Sequence, residues 1–190
     1  MIRVRLPFSR QSERDRDPYW DAFINRPPAD PNNMIPHAFS QLHDGETNPV
    51  RTTVHSPNVM ASHIKELGRF YGADLIGVVA LAADQGFAIV TVLQADYDPR
   101  TSAGVGGQTP VLKGLFATFT LAAYIRELGY RAMRTFAPED RGERLAAVAG
   151  LGELTGDGRL VTRRFGRGVY VAEVIFTDLP LQPDGRESVA

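Results

Sequence analysis

A chain of 190 residues, 43% hydrophobic and 23% charged, is long enough for one substantial core, and its formal net charge of −1 carries no basic bias toward nucleic acid. The absence of cysteine excludes disulfides, a cysteine nucleophile and thiolate-held iron–sulfur clusters within these residues. No apolar run is long enough to cross a bilayer, and the start MIRVRLPFSRQSERDRDP lacks the apolar centre of a secretory signal, so a cytoplasmic protein without membrane contact is expected.

Residues 1–55 read as an amino-terminal arm. Arg10–Arg16 is densely charged, and Pro27, Pro28, Pro31, Pro36 and Pro49 interrupt regular structure. Tyr19, Trp20 and Phe23 fit the apolar side of a short helix over Pro18–Asn25, and with Met34, Ile35 and Phe39 they supply anchors that a disordered tail would lack. Such an arm either covers its own domain or clasps a second copy, and a homodimer is expected on the second reading.

Ser56 and Pro57 form a cap-and-proline helix start, followed by Met60, Ile64, Leu67 and Tyr71 on one face, with Gly72 as the stop. Asp74–Leu81 is a strand candidate, Asp84–Gly86 a turn, and Phe87–Leu93 a central strand with both faces covered. Thr109–Pro110 repeats the helix-start signal and opens a long buried helix ending at Gly129. Tyr130–Phe136 reads as a strand, Glu139–Val148 as a short helix behind Pro138, and Val169–Phe176 as a last strand. From Leu179 the chain reads as extended. The expected layout is an arm (1–55), one domain (56–184) and a tail (185–190).

Between the last helix and strand, Gly150, Gly152, Gly156 and Gly158 punctuate a loop whose backbone can approach a compact neighbour closely. Ordinary turns explain such a loop about as well as ligand binding does. Arg159, Arg163, Arg164 and Arg167 make a local positive patch suited to phosphate or carboxylate, or to solvent. Asp96, Tyr97 and Asp98 follow the central strand, where they form either a proton-handling cluster or an Asx-type turn. Tyr97 is the best proton-handling candidate, with Arg100 or Arg159 as electrostatic helper. His37, His43, His55 and His63 lack zinc spacing, so no metal site is expected, and His63 reads as a hydrogen-bonded helix residue.

The words IKELGRFYGADLIGVVAL, LAAYIRELGY and AGLGELTGDGRLVTRRFG, the last followed by VYVAEVIFTDLPLQP, resemble the catalytic domain of reductive dehalogenases and, more distantly, epoxyqueuosine reductases. The resemblance runs in scattered blocks over Val59–Asp184. Its most specific block carries Ala149, Gly150, Leu151, Gly152, Glu153, Gly158, Leu160, Val161, Thr162, Phe165, Gly166 and Val169, then Thr177–Leu181. It implies a nitroreductase-like α/β sandwich, a central mixed sheet flanked by helices, holding cobalamin. It further implies that Gly150, Leu151, Gly152, Glu153, Gly156, Gly158, Thr162, Phe165 and Gly166 shape the corrinoid pocket. Two departures bear on dehalogenation more than on corrinoid binding. The family's Gly-Arg-x-Gly is here Thr155-Gly156-Asp157-Gly158, and a family segment beyond the central strand is shortened to Val105–Thr109.

The resulting expectation is a corrinoid carrier, a corrinoid-processing factor or a partner-dependent reductase drawing on an external electron donor. Autonomous reductive dehalogenation is not expected without a cluster relay. A flavin (FMN) oxidoreductase of the nitroreductase type, its phosphate met by Arg163 or Arg167, is the first alternative. A cofactor-free binding or structural module is the second.

Overall fold

Ser56 caps the first helix, α1 (Pro57–Phe70), by accepting a hydrogen bond from the Val59 amide at 3.4 Å, and Pro57 takes the first helical position. Ala61, Ile64 and Gly68 form the innermost stripe, and Met60, Leu67 and Tyr71 flank it. The computed structural model describes residues 38, 39, 41–82, 85–95, 105–135 and 141–184, with backbone only for 105–108. The Pro18–Asn25 helix and the Asp96–Tyr97–Asp98 cluster, together with Arg100 and His37, lie outside the described residues.

Strands β1 (Leu75–Ala80) and β2 (Phe87–Gln94) form an antiparallel hairpin, with Leu75 opposite Val92 and Ala80 opposite Phe87. Helix α2 (Val105–Glu127) leads to β3 (Ala132–Thr135), and α3 (Arg141–Val148) follows. A small hairpin pairs β4 (Glu153–Leu154) with β5 (Leu160–Val161), and β6 (Val169–Val171) and β7 (Val174–Thr177) close the sheet. The order is β1-β2-β7-β3, with β6 also beside β2.

All the pairings among the described residues are antiparallel, so the expected mixed sheet is corrected. Continuous apolar composition in β2 reports two covered faces, and these arise without parallel strands. Ile89 packs with Ile64, Leu121 and Ile125 on the α1/α2 side. Ala88, Val90 and Val92 pack with Leu145, Ala146 and Leu160 on the side of α3 and the small hairpin. The short β1–β2 connection itself dictates antiparallel neighbours.

Helix α2 begins at Val105, ahead of the expected Thr109–Pro110 start, and Pro110 lies inside it. Proline has no N–H for the carbonyl of Gly106, so the helix runs through its opening with one bond missing. The segment after β7 is extended, as expected, yet it belongs to the core: Leu179 and Leu181 are buried. It also finishes the outer edge of β1, where the Val78 amide donates to the Asp184 carboxylate at 2.8 Å and the Asp184 amide donates to the Val78 carbonyl at 2.9 Å. Lys65 holds the other carboxylate oxygen at 2.5 Å. An edge strand covered in this way cannot template further pairing.

The expected single strand Val169–Phe176 is instead two strands separated by a β-bulge. Between Ile89 and Val92 on β2 stand two residues, whereas between their partners Ile175 and Val171 stand three. The extra residue puts neighbours Ala172 and Glu173 on the same, α2-facing side, where regular pleating would oppose them. Ala172 meets α2 at Gly114, where an added Cβ would lie 2.7 Å from the Ala172 Cβ. Glu173, 7% exposed, accepts from Thr118 Oγ1 on α2 at 2.9 Å and from Arg134 Nη1 on β3 at 3.0 Å.

The described end of the amino-terminal segment docks on this same cluster. Arg134 donates through Nε to Asp44 Oδ1 at 2.8 Å and through its amide to Asp44 Oδ2 at 3.1 Å, and Arg126 lies 3.3 Å from Asp44. Phe39 stands edge-on to Phe119, over whose ring the Arg134 guanidinium sits. Asn48 and Thr52 donate their amides to the Arg126 and Leu128 carbonyls. Burial tends to raise the Asp44 pKa, but hydrogen bonds from Arg134 and the charges of Arg134 and Arg126 outweigh it, so the carboxyl is held below its ordinary 3.8. A depressed folded-state value stabilises fully above the unfolded value and is lost as pH falls through the folded one. Asp44→Asn should therefore lower the melting temperature at pH 6. The gap to the parent should close as both are titrated below about pH 4, and a pH-independent gap would remove Asp44's charge from the account.

Candidate functional site

The carboxy-terminal glycine block folds as two successive tight turns. In the first, β4 and β5 are joined through Thr155–Arg159. The Thr155 amide and hydroxyl both donate to the Arg159 carbonyl, at 2.9 and 3.0 Å, and the Gly158 amide donates to the Thr155 carbonyl at 2.8 Å. The Thr155 hydroxyl also bonds the Asp157 carboxylate. That bond leads the causes that hold the Asp157 carboxyl below its ordinary range, with Arg167 contributing from 3.7 Å.

In the second turn, Thr162 and Gly166 exchange amide-to-carbonyl bonds, both 2.9 Å, and the Phe165 amide donates to Thr162 Oγ1 at 3.0 Å. Thr162 is buried, and Gly166 has a φ of 58°. The turn is moored to the sheet where the Ala95 amide donates to the Gly168 carbonyl at 2.9 Å, next to the pairing of Gln94 with Val169. Asp157 of the first turn and Arg167, just after the second, lie 3.7 Å apart as an exposed ion pair.

The glycines divide by what surrounds them. A Cβ on Gly152 would lie 2.4 Å from the Val161 carbonyl oxygen, so this residue is glycine because the β4–β5 hairpin closes on it. Gly150, Gly156 and Gly166 have nothing within 4 Å of that position. Gly150 and Gly166 require a positive φ, at 73° and 58°, whereas Gly156 is bare without being so constrained.

Of the expected site residues, Gly150 and Leu151 follow α3, Gly152 precedes β4 and Glu153 lies on it; Gly156, Gly158 and Arg159 lie on the first turn, and Thr162, Phe165 and Gly166 on the second. Tyr97 and Arg100 fall outside the described residues. The hydrogen bonding bears on the flavin alternative. The amides of Thr155, Gly158, Thr162, Phe165, Gly166, Gly168 and Val169 all donate within the chain, so these amides are already committed. Of the two arginines expected to meet a flavin phosphate, Arg163 is exposed and Arg167 lies 3.7 Å from the Asp157 carboxylate.

Elsewhere, His63 on α1 shares a hydrogen bond of 2.8 Å with Tyr124 on α2, as expected of a hydrogen-bonded helix residue. Among the described residues no group of acidic and histidine side chains could hold a metal ion, and no helix is long and apolar enough to cross a membrane. Sequence reasoning missed the Glu173–Arg134–Asp44–Arg126 cluster. Its signal was a lone carboxylate in the otherwise apolar run VYVAEVIF.

No protein-family profile matches the chain. Tetrachloroethene reductive dehalogenases from Dehalobacter restrictus and Desulfitobacterium hafniense are each 37% identical to it over 101 residues, covering 50% of this chain and 18% of theirs. Among solved structures, a reductive dehalogenase whose structure suggested a mechanism for B12-dependent dehalogenation matches with a TM-score of 0.68 at 22% identity, over 84% of this chain and 25% of that one. The catabolic reductive dehalogenase NpRdhA matches with a TM-score of 0.66 at 23% identity, over 81% of this chain and 24% of its own. The chain therefore spans about a quarter or less of these relatives. In sequence and in fold it is reductive-dehalogenase-like.

Proposed function

We propose that this reductive-dehalogenase-like chain is a corrinoid-binding unit, with cobalamin as the ligand. The carrying observation is the 37% identity over half of the chain to tetrachloroethene reductive dehalogenases. The bare backbone at Gly150, Gly156 and Gly166 agrees with it, since a macrocycle can lie against glycine where any side chain would hold it off. On this reading the sheet-and-helix sandwich is of the nitroreductase-like kind. Thr162 and Phe165 keep the second turn rigid, and Gly152 keeps the first one closed. Arg163 and Arg164 offer charge to acidic or amide groups at the ligand's edge.

When bound, a corrinoid supplies a cobalt centre able to change oxidation state. These 190 residues contain no thiolate to relay electrons, so on this reading electrons reach the corrinoid from outside them, and the unit serves as a carrier, a processing factor or a partner-dependent reductase. The test is titration of the purified protein with hydroxocobalamin under reducing and non-reducing conditions. Saturable one-to-one binding with a shifted visible spectrum is expected. No saturation in either condition would end the proposal, and stoichiometric flavin in the purified protein would replace it.

A further inference from the structure

We infer that Glu173 is a positioning residue for the glycine turns, and that the β-bulge exists to aim it. Its link to a ligand rests on the corrinoid reading above. The bulge adds one residue to the β6–β7 strand and so turns Glu173 onto the α2 face, toward Thr118 and Arg134. Bulges re-aim a side chain at the expense of a ladder position. Here the side chain so aimed is a carboxylate, placed with 8% of its surface exposed against an arginine with 5% exposed. Such a pair is weak evidence for stability but a strong geometric constraint, because either partner alone in that site is costly.

What the pair constrains follows from its neighbours. Ala172, immediately before Glu173, is pressed on Gly114 of α2, and Thr118 lies one helical turn farther along. Contact at Gly114 and the hydrogen bond at Thr118 together fix how far α2 stands from β6. Strand β6 is only Val169–Val171, and it leads directly from the Thr162–Gly168 turn. Glu173 is therefore the anchor beyond β6 that holds this turn in register with Val92–Gln94.

Hydrogen exchange on the unliganded protein separates this role from general stabilisation. Glu173→Gln keeps an acceptor for Thr118 but removes the charge. Thr118→Val removes the hydrogen bond from α2 to Glu173 and leaves the ion pair with Arg134. In each variant, peptides covering residues 162–171 should exchange about tenfold faster, the effect of losing one charge-assisted hydrogen bond. Peptides covering α1 should keep the parent rate. Unchanged exchange over 162–171, or equal acceleration in α1, would overturn the inference. If Glu173→Gln does not fold, Thr118→Val decides alone. Hydroxocobalamin titration of the same proteins adds the ligand arm. A parent that binds, with variants about tenfold weaker, supports the positioning role toward the site. A parent that binds equally to its variants overturns that role. A parent that does not bind, with faster exchange over 162–171 in the variants, defeats the corrinoid proposal and leaves the anchoring standing.

Discussion

Arg134→Ala is expected to destabilise the protein by about 3–5 kcal/mol, the range for removing one partner of a buried ion pair. The guanidinium is 5% exposed and meets two carboxylates: Glu173 at 3.0 Å and Asp44 at 2.8 Å. Its Nη2 also reaches the Leu42 carbonyl at 3.4 Å, and its plane covers Phe119 at 4.8 Å. Alanine strips these contacts at once. Glu173 then keeps only Thr118, and Asp44 keeps Arg126 at 3.3 Å. Arg134→Lys should recover part of the loss and not all of it, because an ammonium cannot make the fork to both carboxylates. Urea unfolding followed by circular dichroism measures both. A midpoint for Arg134→Ala within error of the parent would mean that the cluster is solvated in solution and carries little. The amino-terminal segment should also loosen in this variant, which limited proteolysis between residues 41 and 50 can detect.

The elements were largely legible because their signals are local. Ser56–Pro57 marks a helix start through capping chemistry, and Gly72, with a φ of 109°, marks its stop. The hidden parts depend on partners distant in sequence. Strand direction is one: burial on both faces makes β2 uniformly apolar whether its neighbours run parallel or antiparallel. The bulge is another. Glu173 looks misplaced in an apolar strand until Arg134 and Thr118, 39 and 55 residues away, are brought beside it. That Leu179 and Leu181 belong to the core was hidden, because a short extended segment has no periodicity to reveal which face it buries. At the candidate site the glycine block was legible as a loop, but its spacing alone could not separate glycines that close the hairpin from those that lie bare.

That separation yields the second large effect. Gly152→Ala should cost about 1–3 kcal/mol, as overpacking at a closed contact does. Its Cβ would stand 2.4 Å from the Val161 carbonyl oxygen and 3.0 Å from Leu160 Cδ1, and neither gives way easily. The carbonyl is fixed backbone, and Leu160 is buried beside Leu145 and Ala146 of α3. Relief requires β4 and β5 to part, which spreads the first turn. Gly156→Ala, four residues farther toward the tip, meets nothing within 4 Å and should leave stability within about 0.5 kcal/mol of the parent. The two substitutions add the same methyl group to the same hairpin, so their comparison isolates what the space is for. If the tip lies against the corrinoid, hydroxocobalamin affinity should fall about tenfold in both variants, with lost stability only in Gly152→Ala. Thermal melts and titrations of the pair give the answer. Full affinity in Gly156→Ala would show that the open space at the tip belongs to solvent, and would confine any ligand contact to Gly150 and the Thr162–Gly166 turn.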